Sequence, residues 1–168
     1  MEPNPSDRGV HQPGLPHRMT PYLLPRGGLP AGTNVLTSDG ALPVEFLSAG
    51  DRIVSRDAGF VAVRGVRRDL WGGAWAMVRA GAFGPGMPEV DLPLPAAQQV
   101  LLRGDLAVAI AGQMQVLMPL SELVGQSGFQ TCDIGPSHVF AICCGPPQVI
   151  YAGGVELSTA GCGDGLGG

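Results

Sequence analysis

Apolar and polar residues alternate with a period of two through most of the middle of this chain. Thr33 to Ser38 is a short β-type run that leads into Asp39-Gly40, a strong two-residue turn signal. Pro43 to Leu47 leaves room for one helical turn, Gly50-Asp51 breaks it, and Arg52 to Arg56 alternates as a second strand. Phe60 to Arg68 reads as a strand with Val61, Val63 and Val66 on one side. Trp71-Gly-Gly-Ala-Trp75 then reads as a turn whose two aromatic rings pack as core. Ala76 to Ala80 is a further short strand, followed by a loop from Arg79 to Pro88. Leu106 to Ile110 and Met114 to Met118 flank Ala111-Gly-Gln113, which is a hairpin signature. Pro119 to Val124 allows one more helical turn, and Ser137 to Ile142 and Gln148 to Ala152 are the last strands. The pattern predicts strands over 33–37, 52–56, 60–67, 106–111 and 114–118, no helix longer than about three turns, and a core that includes Val35, Val44, Leu47, Ile53, Val100, Val116 and Val149.

Composition narrows the function classes. At 168 residues the chain has room for one domain, and 45% apolar residues suffice for a core. Only 14% of residues are charged and the net charge is −4, so nucleic acid, which wants a basic stripe, is not an expected partner. The 27 glycines and 16 prolines fall between β-type runs, as in a turn-dense all-β domain. No stretch approaches the roughly 20 apolar residues of a membrane helix. The first residues carry neither a basic nor an apolar signal region, so a cytoplasmic protein with reduced thiols is expected. Residues 1–22 are rich in proline and polar groups and read as a disordered leader that carries His11 and His17 as solvated side chains. Residues 158–168 read as a Gly-rich flexible tail, leaving a folded domain over 23–157.

The order of motifs resembles the Hint domain, the Hedgehog/intein autoprocessing fold, in its bacterial Hint_2-like subfamily. The family's first block opens on Cys-aromatic-x-x-Gly-Thr and continues through Asp-Gly and Pro-Val-Glu-x-Leu-x-x-Gly-Asp. Here Gly32-Thr33, Asp39-Gly40, Pro43-Val44-Glu45, Leu47 and Gly50-Asp51 match, while Gly28 stands where the Cys belongs. Arg79-Ala-Gly-Ala-Phe-Gly-Pro-Gly-Met-Pro88 is similar to a family loop. Asp91 to Gly104 is similar to the second catalytic block, in a frame that puts Pro95 at the Ser/Thr position and Gln98 at the His position. The closing strands keep His138, Ala152 and Gly154, but Gly145-Pro146-Pro147 replaces an Asp-Arg-His triplet. The resemblance implies an all-β, horseshoe-like architecture of many short, twisted strands.

It also implies a chemistry, an N-to-S or N-to-O acyl shift at the peptide before the first domain residue, aided by a Thr and a His of the second block. Gly28 has no nucleophile, Pro95 has no hydroxyl, Gln98 cannot titrate, and Pro147 stands in the lost triplet. Thr33, Thr37 and Ser38 lie nearby without a base visibly beside them. His138 reads as a strand histidine, with a relic proton shuttle as the functional reading. Cys132, His138, Cys143 and Cys144 lack the Cys-x₂₋₄-Cys knuckle of a structural zinc site, so no metal is expected, and no cofactor is implied. The expected protein is therefore a Hint-domain module with degraded catalytic positions, folded or binding a protein partner. Two other readings stay open: an active autoprocessing domain with displaced groups, and an unrelated β-barrel binding protein.

Overall fold

The computed structural model describes residues 27–162. The expected leader over 1–22 lies outside them. Fourteen short strands, one α-helix and two 3-10 turns make up the described part. The largest sheet runs β10-β9-β14-β13-β2-β4-β5, with β3 beside β2. These strands are β2 (Asn34–Thr37), β3 (Gly40–Pro43), β4 (Arg52–Ser55), β5 (Gly59–Ala62), β9 (Gln99–Arg103), β10 (Gln115–Pro119), β13 (Val149–Ala152) and β14 (Val155–Ser158). A second sheet orders β1 (Leu29–Pro30), β12 (Ser137–Cys143) and β6 (Gly65–Trp71). A third orders β11 (Phe129–Cys132), β7 (Trp75–Val78) and β8 (Leu92–Pro95). All strand pairs are antiparallel.

The first block folds as its residues dictate. Asn34–Thr37 alternates exposed and buried, and pairs with Gly40–Pro43 so that Thr37 faces Gly40. The Thr37 hydroxyl donates to the Gly40 carbonyl and accepts from the Asp39 N–H, closing the hairpin tip. Val44–Phe46 is a single 3-10 turn. The Asp51 carboxylate accepts from the Ser48 N–H at 2.9 Å and fixes the turn into β4. Val35, Val44, Leu47, Ile53 and Val100 are buried as the alternation requires. Val116 is only half-buried, and on β13 the inward residue is Ile150 rather than Val149. The single expected strand over 60–67 is two strands, interrupted where the Val63 N–H turns to the Asp51 carbonyl and the Arg64 N–H to the Cys143 carbonyl.

Two expectations are corrected. Residues 106–111 belong to an α-helix, α1 (Gly104–Ala111), not to a strand. Leu-Ala-Val-Ala-Ile fits a period of two, but its alanines favour a helix. The helical register buries Ala107, packs Leu106, Ile110 and Ala111 against the core, and leaves Val108 exposed. Asp105 sits in the first turn, and Gly112, at φ +70°, closes the helix with its N–H on the Val108 carbonyl. Gly112 is therefore a helix cap and not a hairpin turn, and β10 pairs with β9 across the helix. The boundary expected between 157 and 158 falls inside a strand, β14 (Val155–Ser158). Ala152-Gly153-Gly154-Val155 is a two-residue hairpin with both glycines at positive φ, which returns the chain along β13. Thr159 beyond it is buried and its N–H donates to the Gln148 carbonyl.

Candidate functional site

The matched catalytic positions converge unevenly on one cleft of about 1370 Å3. Gly27 and Gly28 enter it just before β1, whose Leu29 and Pro30 pair with Phe140 and Val139 of β12. Gln98 reaches the same place from the turn between β8 and β9. That turn is rigid: the Gln98 N–H donates to the Pro95 carbonyl at 2.9 Å, and the Gln98 carbonyl accepts from the Leu120 N–H at 3.0 Å. The third wall is the segment after β14, which β9 holds through the Leu157–Val100 pair.

The Gln98 side chain is buried, 5% exposed, and fully partnered. Its Oε1 accepts from the Gly28 N–H at 2.9 Å. Its Nε2 donates to the Ser158 carbonyl at 2.8 Å and to the Gln99 carbonyl at 3.0 Å. The amide orientation follows from these partners, because a flip would set its NH2 against the Gly28 N–H. The residue at the expected histidine position thus grips the nitrogen of the Gly27–Gly28 peptide, yet it has no proton to exchange near neutral pH.

Gly28 would leave any side chain strained and tightly packed. Its φ is +133°, and a Cβ there would lie 3.0 Å from Val139 Cγ2 and 3.3 Å from the Phe140 carbonyl oxygen. At Gly27, with φ +136°, a Cβ would fall 2.5 Å from Gln98 Oε1. Only glycine occupies such backbone regions freely. The glycine pair therefore does more than lack a nucleophile: a side chain at Gly28 would crowd Val139 and Phe140, and one at Gly27 would clash with Gln98.

Pro95 sits buried in β8 opposite Trp75 and contributes its carbonyl to the Gln98 turn. Pro147 borders the cleft, where it packs near Gly161. His138 does not join them; it is exposed on β12, paired with Leu70 of β6. Thr33 and Thr37 are also spent elsewhere. The Thr33 hydroxyl donates to the Pro30 carbonyl and the Thr37 hydroxyl to the Gly40 carbonyl. Ser158 and Thr159, which do border the cleft, escaped the sequence reading because β14 did. The Gly153-Gly154 turn and the alternation of Val155 to Ser158 were the available signal.

The cysteines also differ from expectation. Cys143 and Cys162 form a disulfide with Cα atoms 5.8 Å apart, within the usual range, whereas reduced thiols were expected. The return of the chain through β14 brings Cys162 beside the end of β12. Cys132 and Cys144 are free, and burial pushes both thiols up, aided at Cys132 by Asp133 and opposed at Cys144 by Arg64. Among the described residues, no three His, Cys, Asp or Glu side chains cluster. No helix among them is long and apolar enough to cross a membrane.

Removing the Gln98 amide tests its part in this packing. Gln98→Leu orphans the buried Gly28 N–H and is expected to cost about 1–3 kcal/mol, read by urea denaturation. Gln98→His, which keeps an acceptor, is expected to lose less.

Three sheets of short antiparallel strands, with the start of β1 and the β8–β9 turn meeting at one cleft, have the all-β layout expected of a Hedgehog/intein-type domain. The family profile described as Hint domain matches residues 28–163, and the chain belongs to the Hint-domain family. A DnaB intein from Synechocystis sp. PCC 6803 is similar at TM-score 0.51 and 10% identity, over 80% of this chain and 99% of that one. The bacterial intein-like domain from Clostridium thermocellum is similar at TM-score 0.51 and 13% identity, over 79% and 96%. The MchDnaB-1 intein gives 0.52 and 15%, over 79% and 99%. At these identities the likeness is one of fold. A comparison with curated proteins finds no match.

Proposed function

We propose that this Hint domain is catalytically inert at the Gly27–Gly28 peptide and serves as a folded, partner-binding module that keeps the chain before Gly28 attached. The observation that carries this reading is the packing around Gly28. With hydrogen at its Cα there is no atom to accept the Gly27 acyl group, and a Cβ there would sit at positive φ in tight contact with Val139 and the Phe140 carbonyl. Water attack without that step faces the ordinary peptide barrier. Gln98 holds the peptide nitrogen but supplies no general acid or base. The open cleft beside this peptide is the surface the reading assigns to a protein partner.

The test is expression of the full chain with a different tag at each end. A single band that carries both tags is expected. Separation of the tags at Gly27 would overturn the inert reading and favour an active domain that uses displaced groups.

A further inference from the structure

We propose that the Cys143–Cys162 disulfide is a redox latch on the cleft: reduction by a dithiol releases the segment after β14 and loosens the grip of Gln98 on the Gly27–Gly28 peptide. The latch joins the last residue of β12 to the segment that runs beyond β14, at a sequence separation of 19. Besides the disulfide, Cys162 is held by Gly145. Its N–H donates to the Gly145 carbonyl at 3.0 Å, and its sulfur accepts from the Gly145 N–H at 3.2 Å.

The same short segment carries the partners of Gln98. Thr159 is clamped to Gln148 in both directions, its N–H on the Gln148 carbonyl at 2.8 Å and its Oγ1 accepting from the Gln148 N–H at 3.0 Å. Ser158, one residue back, offers its carbonyl to Gln98 Nε2, while Gln98 Oε1 takes the Gly28 N–H. A contiguous path of covalent and hydrogen bonds thus leads from the disulfide to the nitrogen of the Gly27–Gly28 peptide. Losing its covalent end leaves residues 160–162 on the Gly145 hydrogen bonds, and because Ser158 is the end residue of β14, opposite Val149, the loosening reaches Gln98 through the frayed strand end.

The chemistry balances without any group from the protein's interior. Cys162 borders the cleft, whereas Cys143 is buried behind it. A thiolate of the dithiol attacks the Cys162 sulfur, the S–S bond breaks, and Cys143 leaves as thiolate and takes a proton. The second thiol of the reductant then displaces Cys162 from the mixed disulfide, so the dithiol is oxidised to a disulfide and both cysteines become thiols. The inference goes beyond the inert reading, and its failure shows in a different measurement.

The test uses the full chain purified without reductant. Alkylation with iodoacetamide after denaturation is expected to label two of the four cysteines, Cys132 and Cys144, and all four after reduction. Four labels without reduction would overturn the proposal. Amide exchange at Gly28 is then followed by NMR with and without dithiothreitol, and roughly tenfold faster exchange is expected in the reduced protein, as for a locally loosened segment. Equal rates would equally overturn it. Cys162→Ser is expected to exchange fast without reductant and to be insensitive to it, while Cys132→Ser follows the wild type. If Cys162→Ser does not fold, the reduced wild-type chain carries the comparison alone. Chain cleavage during these incubations would count against the inert reading and not against the latch.

Discussion

Gly28→Cys, the substitution that puts a thiol at the family's nucleophile position, is expected to destabilise the domain by about 2–6 kcal/mol and to yield no thioester. Two costs combine. A side chain at φ +133° is held in a region that costs on the order of 1–3 kcal/mol for any residue but glycine. A Cβ 3.0 Å from Val139 Cγ2 overpacks the β1–β12 contact, a change typically worth about 1–3 kcal/mol. Urea denaturation of the variant against wild type reads the sum. Adding Val139→Ala removes the steric part and is expected to recover part of the loss, leaving the backbone strain. A Gly28→Cys protein as stable as wild type would show that the backbone at 28 relaxes freely. In the absence of such relaxation, Gln98→His and Pro95→Thr added to Gly28→Cys are not expected to restore an acyl shift, because the thiol is never placed on the Gly27 carbonyl.

The second large effect lies in the core. Phe129→Ala is expected to cost about 3–5 kcal/mol, the range for a buried aromatic truncated to a methyl. Phe129 opens β11, is 1% exposed, and meets Phe83 edge to face with ring centroids 5.2 Å apart. Around it the Gly125 N–H bonds the Phe129 carbonyl and the Arg79 N–H bonds the Gly128 carbonyl. Thermal or urea unfolding checks the magnitude. A loss within about 0.5 kcal/mol, typical of surface sites, would place Phe129 outside the core.

Local chemistry made the first block legible. The 3-10 turn at Val44–Phe46 and the strand from Arg52 follow from turn residues and alternation, which act within a few positions of one another, while the turn expected at Asp39-Gly40 closes one residue earlier, at Ser38-Asp39, with Gly40 opening β3. Leu106 to Ile110 shows where that signal fails. A short apolar run fits either period, and the choice fell to tertiary packing and to Gly112 as a cap. The slip from Val149 to Ile150 is a one-residue error in parity, which moves every side chain of a strand to the other face.

The site divided along the same line. That Gly28, Pro95 and Gln98 lack catalytic groups was legible from their identities alone. That Gln98 holds the Gly28 N–H, and that a Cβ at Gly28 would be crowded, depends on Val139, Phe140 and Ser158, all far away in the chain. The disulfide was hidden for the same reason. Cys162 stands in a Gly-rich stretch, and only the Gly153-Gly154 hairpin carries it back to Cys143. His138 was legible as a strand residue, but its distance from the cleft follows from the pairing of β12 with β6.

Intact mass of the full chain, incubated with and without dithiothreitol, tests the central claim most directly. Thiol is the nucleophile that would trap any thioester or oxyester formed at Gly27, so an acyl shift by whatever group would be drawn to completion. The account predicts one species at the full-length mass, changed on reduction only by the hydrogens that open the Cys143–Cys162 disulfide. A thiol-dependent fragment ending at Gly27 would contradict it.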